Sequence, residues 1–372
     1  MTRVVRAEQS MDVQTYLRTR KEALRNHTGA VKNYTVFDFN YIPDQPLMRD
    51  EAKTIIDAIL RYAHTGIPKN LAIFGSRGSG KTLMMRYLAR ELHADNTVTI
   101  LYCNIRNHNT SFKVLANLLH VPPRGASLDE LFTRFRNTYT GKTVVVLDEI
   151  DTMSPKDRTM EILYLLSRSR VNYMVILLAN SPRVLQTMDA STRSTLQPET
   201  IHFKNYDAEQ LLAILEARAR QGLKEHKHED LQRIAGLITK NTNSDVRVAI
   251  KSLFYLASEP GLDVDTAFGR ANKDVVVDVI HDLNDRCLLI LESVRRSQTG
   301  FVREVYQRYK NLSQVAGEVP FSYMHFYNHL SYLQSCGLIL LVATKVGRAY
   351  TNQIRLLFDP EVESSTFKAR FG

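Results

Sequence analysis

Eight residues carry the clearest chemistry in the chain. Gly75-Ser-Arg-Gly-Ser-Gly-Lys81-Thr82 fits GxxxxGK[ST] in full. Gly75, Gly78 and Gly80 let backbone N–H groups turn inward around phosphates. Ser79 lies within the loop, and Leu83 continues the helix behind it. Lys81 reaches the β and γ oxygens, and the Thr82 hydroxyl is a ligand for Mg²⁺. An apolar run, LAIF, precedes the loop, and a helical pattern opens inside it. The second anchor is Val144-Val-Val-Leu-Asp148-Glu149. A buried strand ending in two carboxylates delivers them to the sheet edge where ligands bind in open α/β sheets. Asp148 is expected in the Mg²⁺ shell, and Glu149 is placed to polarise water for attack on a γ-phosphate. Asn180 ends the next apolar run, where an amide orients that water or senses the phosphate; a turn-forming Asn before Ser-Pro is the rival reading. Arg247, one turn into a later helix, is a further phosphate contact or a plain surface arginine. Arg193 is the nearest candidate for an arginine finger supplied to a neighbouring subunit. The cofactors expected are ATP or ADP with Mg²⁺.

A second chemistry lies near the C-terminus. Residues 319–358 contain no Asp or Glu, yet carry Lys345, Arg348 and Arg355. Residues 274–372 hold eleven Lys/Arg against ten Asp/Glu, so the charge there is polarised rather than high. A one-sided basic surface is the electrostatic footprint of phosphate binding. Phe321–Ser335 reads as a helix with Tyr323, His325 and Asn328 on polar positions, suited to base-edge contacts in a major groove. The hairpin TKVGRAYTNQIRL follows, with Gly347 at its turn. Arg348 is the expected minor-groove contact, and Lys345 and Tyr350 support it. His325 and His329 stand four residues apart but lack a third zinc ligand at sensible spacing.

These groups need a scaffold. The runs 71–74, 98–104, 143–149, 173–180 and 200–203 read as buried strands alternating with helices, which predicts an α/β fold with a parallel sheet covered on both faces. Helical patterns occupy 49–64, 81–92, 112–119 and 127–139, the last opened by a capping box of Ser127 and Glu130. Beyond Asn205 four helical stretches follow with no strand between them. From Asp274 come two or three helices and the hairpin, a winged-helix order. The expected division is a basic N-terminal arm at 1–36, a nucleotide-binding base at 37–204, an all-helical lid at 205–273 and a winged-helix DNA-binding domain at 274–372.

The 372 residues suit two or three domains, and the net charge of +10 suggests an anionic partner. The N-terminus has no apolar core of a secretory signal, and no apolar run approaches the ~20 residues that span a bilayer. Three scattered cysteines form no CxxC, which fits a reducing, intracellular setting; the expected location is the cytoplasm, in association with the nucleoid.

The ordered set of motifs resembles the AAA+ ATPases, and within them the archaeal origin recognition and cell division control proteins. Besides the motifs above, the likeness rests on Tyr41-Ile-Pro-Asp-Gln-Pro-Leu-Met-Arg49-Asp, on Asn104-Ile-Arg-Asn and on Val121-Pro-Pro-Arg-Gly125. Leu147-Asp-Glu-Ile-Asp151, Phe203-Lys-Asn-Tyr206, Ile214-Leu-Glu-Ala-Arg218 and Ser244-Asp-Val-Arg247 complete it. The resemblance implies a parallel-sheet P-loop AAA+ base, a helical lid and a C-terminal winged helix. It implies that Ile42 and Pro43 border the adenine, that Tyr206 and Arg218 line the nucleotide from the lid side, and that Arg247 is the lid sensor. It also implies an ATP-dependent initiator that recognises double-stranded origin DNA and assists loading of the replicative helicase, as a monomer or assembling on DNA, with slow ATP hydrolysis as a switch. The alternative is a nucleotide-gated DNA-binding paralogue or transcription regulator with little turnover. The sequence departs from the family at Met48-Arg49-Asp50, where His-Arg-Glu is common. Ser244 stands where Gly is common, and Ser191-Thr-Arg193-Ser stands where Arg-Val-Lys-Ser is usual.

Overall fold

The computed structural model describes residues 12–27, 30–94, 97–154, 156–157, 159–259, 261–346 and 349–371. Its centre is a sheet of β1 (Leu71–Phe74), β2 (Thr99–Asn104), β3 (Thr143–Asp148), β4 (Met174–Ala179) and β5 (Glu199–His202), in the order β2-β3-β4-β1-β5. All four pairings are parallel. The near-continuous apolar strands exist because both faces are covered. Alternate residues feed two cores. Ala72, Phe74, Val145, Leu147, Val175 and Leu177 face one way. Leu71, Ile73, Val144, Val146, Ile176 and Leu178 face the other.

The described helices before the lid are α1 (Val13–His27), α2 (Asp50–Thr65), α3 (Lys81–Ala94), α4 (Ser111–Leu118), α5 (Leu128–Thr138), α6 (Glu161–Ser167), α7 (Val184–Thr187) and α8 (Ala190–Leu196). The capping box on α5 forms: the Glu130 N–H donates to Ser127 Oγ at 3.2 Å, and the Ser127 N–H donates to Glu130 Oε2 at 2.8 Å. The lid contains α9 (Ala208–Gly222), α10 (His228–Asn241), α11 (Val246–Ser258) and α12 (Val264–His281). After them come α13 (Asp285–Arg295), α14 (Val302–Val315), α15 (Tyr323–Ser335), the antiparallel hairpin β6 (Ile339–Val346) and β7 (Ala349–Leu356), and α16 (Pro360–Phe371).

Three features differ from the sequence expectation. Helix α12 runs on to His281, across the expected boundary between lid and winged helix at residue 273, because Ala271, Val275, Val279 and Ile280 prolong an apolar face. Ala271 and Val275 belong to the lid core, while Val276, Val279 and Ile280 belong to the winged-helix core. Residues 31–36 are no peripheral arm. Val31 and Val36 are buried in the lid core, and Lys32 N donates to the carbonyl of Gly222 at 2.8 Å. The third is α16, whose Val362 and Phe367 pack on the winged-helix core. No helix among the described residues is long and apolar enough to cross a membrane.

Candidate nucleotide site and nucleic-acid face

The carboxyl ends of β1, β3 and β4 bring the phosphate-binding loop, Asp148, Glu149 and Asn180 to one sheet edge. Above that edge, base and lid enclose a cavity of about 890 Å³. Its walls include Gly78 to Leu83 of the loop, Ile42 and Pro43, and Tyr206, Arg218 and Arg247. The loop conformation needs its glycines. Gly78 and Gly80 have φ of 75° and 91°, and a Cβ on Gly80 would lie 2.2 Å from the Tyr206 hydroxyl. Gly75 does not line the cavity; it is packed under Phe203, whose carbonyl leaves no room for a side chain.

Lys81 Nζ donates to the carbonyls of Gly75 at 2.6 Å and Ser76 at 2.9 Å, and approaches Asn180 Oδ1 at 3.4 Å. Burial lowers its pKa to about 8, although Asp148, Asp151 and Glu149 favour the charged form. The Thr82 hydroxyl donates to Asp148 Oδ2 at 2.7 Å, and the Tyr102 hydroxyl donates to the same oxygen at 2.6 Å. Burial pushes the Asp148 carboxyl upward, so a cation beside it is favoured. A hydroxyl next to a carboxylate at a phosphate site is the donor set Mg²⁺ takes when phosphate and water supply the rest. The two residues therefore fit that ion. No cluster of three metal-ligating side chains occurs among the described residues.

Glu149 starts a single 3₁₀ turn (Ile150–Thr152) with φ 54° and ψ 42°, a left-handed conformation that costs a non-glycine residue on the order of 1 kcal/mol. The turn aims its side chain at Arg106, whose Nε lies 2.7 Å from Glu149 Oε2. Asn180, just past β4, is fixed by Asp151: Oδ2 of that carboxylate accepts its N–H at 3.2 Å and its Nδ2 at 3.5 Å. Asp151 Oδ1 is buried without a partner, and burial raises this carboxyl too.

Two arginines of the site were not singled out from the sequence. Arg106 also meets Asp282 Oδ2 at 2.7 Å. Arg49 is 5 % exposed; it donates to the carbonyls of Ser79 at 3.0 Å and Lys204 at 2.7 Å, and its guanidinium lies 4.7 Å from the Tyr206 ring centre. It braces the phosphate loop against the β5 exit. Apart from Glu51 beside Arg49, the side-chain partners of both arginines named here lie 30 or more residues away, so local spacing cannot reveal them.

In the lid, Asp245 caps α11 and holds Arg247 through Nε at 3.0 Å and NH2 at 2.5 Å. Arg218 donates to the carbonyls of Val36 and, at 3.4 Å, Tyr41, so its guanidinium chiefly ties residues 36–41 to α9. Arg193 is exposed on α8 and is not among the cavity walls.

On the winged helix, Tyr323, His325 and Asn328 are exposed on α15, and Ser322 caps it. The middle of α15 is docked on the base. Arg183 donates to the Asn328 carbonyl at 2.8 Å and to Ser331 Oγ at 3.0 Å. His329 Nδ1 bonds the His325 carbonyl at 2.8 Å, which gives it a partner other than a metal. Lys345 is exposed at the far end of β6 and pairs in register with Tyr350. Gly347 and Arg348 lie outside the described residues.

A five-stranded parallel sheet with a phosphate loop after β1 and a carboxylate pair after β3, roofed by helices and followed by a helix-turn-helix with a β-hairpin, defines an AAA+ protein with a C-terminal winged helix. Comparison agrees at both ends. The family described as "AAA domain" matches residues 67–188, and "CDC6, C terminal winged helix domain" matches residues 286–364. ORC1-type DNA replication protein 1 of Sulfolobus acidocaldarius is 28% identical over 361 residues, covering 88% of this chain and 90% of that protein. ORC1-type DNA replication protein 3 of Saccharolobus solfataricus is 29% identical over 356 residues, covering 88% and 89%. Among solved structures, the Aeropyrum pernix ORC1 protein in complex with DNA superposes with a TM-score of 0.65 at 22% identity, covering 92% of this chain and 97% of that one. Cdc6p of Pyrobaculum aerophilum gives 0.58 at 21%, covering 92% and 100%. The chain carries an AAA domain and a CDC6-type C-terminal winged helix, and it is similar over most of its length to ORC1-type DNA replication proteins of archaea.

Proposed function

We propose that the protein is a replication initiator that binds ATP with Mg²⁺ between base and lid and binds double-stranded origin DNA through its winged helix. One observation carries the nucleotide half: a single cavity gathers the loop around Lys81, the Thr82–Asp148 pair at 2.7 Å, Glu149, Asn180 and Arg247. The DNA half is supported by the exposed face of α15 and the acid-free stretch 319–358. The names of its relatives, DNA replication proteins, support the replication role; assistance to the replicative helicase, action beside the nucleoid and assembly on DNA are further parts of this proposal.

In this reading the loop amides and Lys81 hold the phosphates. Mg²⁺, held by Thr82 and Asp148, supplies charge neutralisation at the phosphates. Asn180, oriented by Asp151, and Glu149 place and polarise the attacking water. Ile42 and Pro43 border the base, and Tyr206 and Arg218 shape the lid side. Arg247 senses the phosphates once they draw it from Asp245. Hydrolysis is slow and acts as a switch of the angle between domains.

The test is ATP turnover by the full chain with origin-containing DNA. Glu149→Gln should keep nucleotide affinity and lower turnover at least about 100-fold, the scale of a lost general base. Equal rates would favour a second reading, a nucleotide-gated DNA-binding module without meaningful turnover. That reading has its own support in the Arg106–Glu149 ion pair at 2.7 Å.

A further inference from the structure

Asp282 caps the C-terminal end of α12, the helix shared by the lid and winged-helix cores, and its carboxylate reaches into the cavity wall. There it meets two arginines of the base. Arg106 NH1 lies 2.7 Å from Asp282 Oδ2, and Arg77 NH1 of the phosphate loop lies 4.0 Å from the same oxygen. Arg106 simultaneously holds Glu149 at 2.7 Å, which puts its guanidinium at the end of the cavity where water attack on a terminal phosphate would occur. A carboxylate oxygen between two guanidinium groups is engaged as a phosphate oxygen would be.

We propose that Asp282 competes with the terminal phosphate of the nucleotide for Arg106 and Arg77, so that triphosphate binding unfastens the C-terminal end of α12, and with it the winged helix, from the nucleotide site. This rests on the nucleotide-binding reading above and adds to it a specificity-determining pair of arginines and their intramolecular competitor. Two anions cannot share the same donors without repelling each other, so binding of one opposes binding of the other. Linkage makes the effect reciprocal: whatever holds Asp282 in place weakens the triphosphate, and the triphosphate weakens that hold. A diphosphate, lacking the terminal group, competes less. The winged helix therefore feels which nucleotide is bound through one charge exchange.

The test uses the full chain with Mg²⁺ and fluorescent mant-ATP or mant-ADP. Asp282→Asn is nearly isosteric and removes the competing charge. It should tighten mant-ATP about five-fold or more, the lower end of usual coupling, and mant-ADP distinctly less. Hydrogen exchange gives an independent readout at the Asp282 and Leu283 amides, which close the last turn of α12 on Asp278 and Ile280. ATP should speed exchange there in the wild type, and Asp282→Asn should be fast with or without ATP. Unchanged mant-ATP affinity in Asp282→Asn, or an exchange rate that ATP leaves untouched in the wild type, overturns the inference. Lys81→Ala separates this from the parent reading. If it alone loses mant-ATP, the nucleotide site stands and the Asp282 results decide. If the wild type binds no mant-ATP, both readings fall together.

Discussion

Lys81 shows how burial turns a simple cation into a pH-dependent ligand. Its pKa is lowered to about 8 from 10.5 by desolvation. Between those values the unfolded chain keeps a proton that the folded chain has lost, so its contribution to stability rises with pH across that window. A bound triphosphate favours the ammonium and draws the proton back. Nucleotide affinity should therefore weaken as pH passes 8, by up to about ten-fold at pH 9, since only the protonated fraction is competent. Titrations from pH 7 to 9 check this, and a flat profile contradicts it. Ser244 is the second residue with a measurable cost. Its φ of 54° is left-handed, at the position where the family commonly has glycine. Ser244→Gly should stabilise the chain by about 0.5–1 kcal/mol in denaturant unfolding, by relieving strain ahead of Asp245 and Arg247.

At the scale of elements, the strands were readable because burial on both faces leaves an almost unbroken apolar run, and the capping box on α5 because its two residues are local. The gathering of Gly75 to Thr82, Asp148 and Glu149 at one sheet edge was readable for the same reason, since each sits at the end of a recognisable strand; their roles toward a nucleotide belong to the proposal. What escaped depends on distant partners. Arg49 meets Ser79 and Lys204, Arg106 meets Asp282, and Val31 and Val36 find their core in α9 to α11. The far half of α12 was missed because Val275-Val-Val277 reads as an apolar run rather than as a helical stripe. The docking of α15 belongs here too. Arg183 stands three residues after Asn180 and grips the middle of α15, while the N-terminal residues, which read bases in helix-turn-helix proteins, stay exposed. Arg183→Ala should cost about 1 kcal/mol or less and speed amide exchange in residues 331–335, with α14 unaffected. Equal exchange in the variant and the wild type would show that the grip does not order the helix.

Across the whole molecule, the cations at the loop end of the cavity have internal acceptors: Lys81 the loop carbonyls, Arg247 Asp245, Arg106 Glu149 and Asp282, and Arg77, at 4.0 Å, Asp282 as well. A nucleotide thus exchanges partners rather than filling a bare charge, and each exchange tugs on a different element. Helix α12 then has a consequence for taking the protein apart. It carries Val275 into one core and Val276 into the next, so no cut near residue 273 leaves two intact halves. A fragment ending at 273 forfeits Val275, and one beginning at 274 opens with a frayed stub of helix lacking its N-terminal turns. Pieces divided there should melt below the full chain or aggregate, whereas a winged-helix piece starting at Val264 should keep its native circular dichroism. The lid and the winged helix are, in effect, two rooms sharing one beam, and the beam decides where the wall can be sawn.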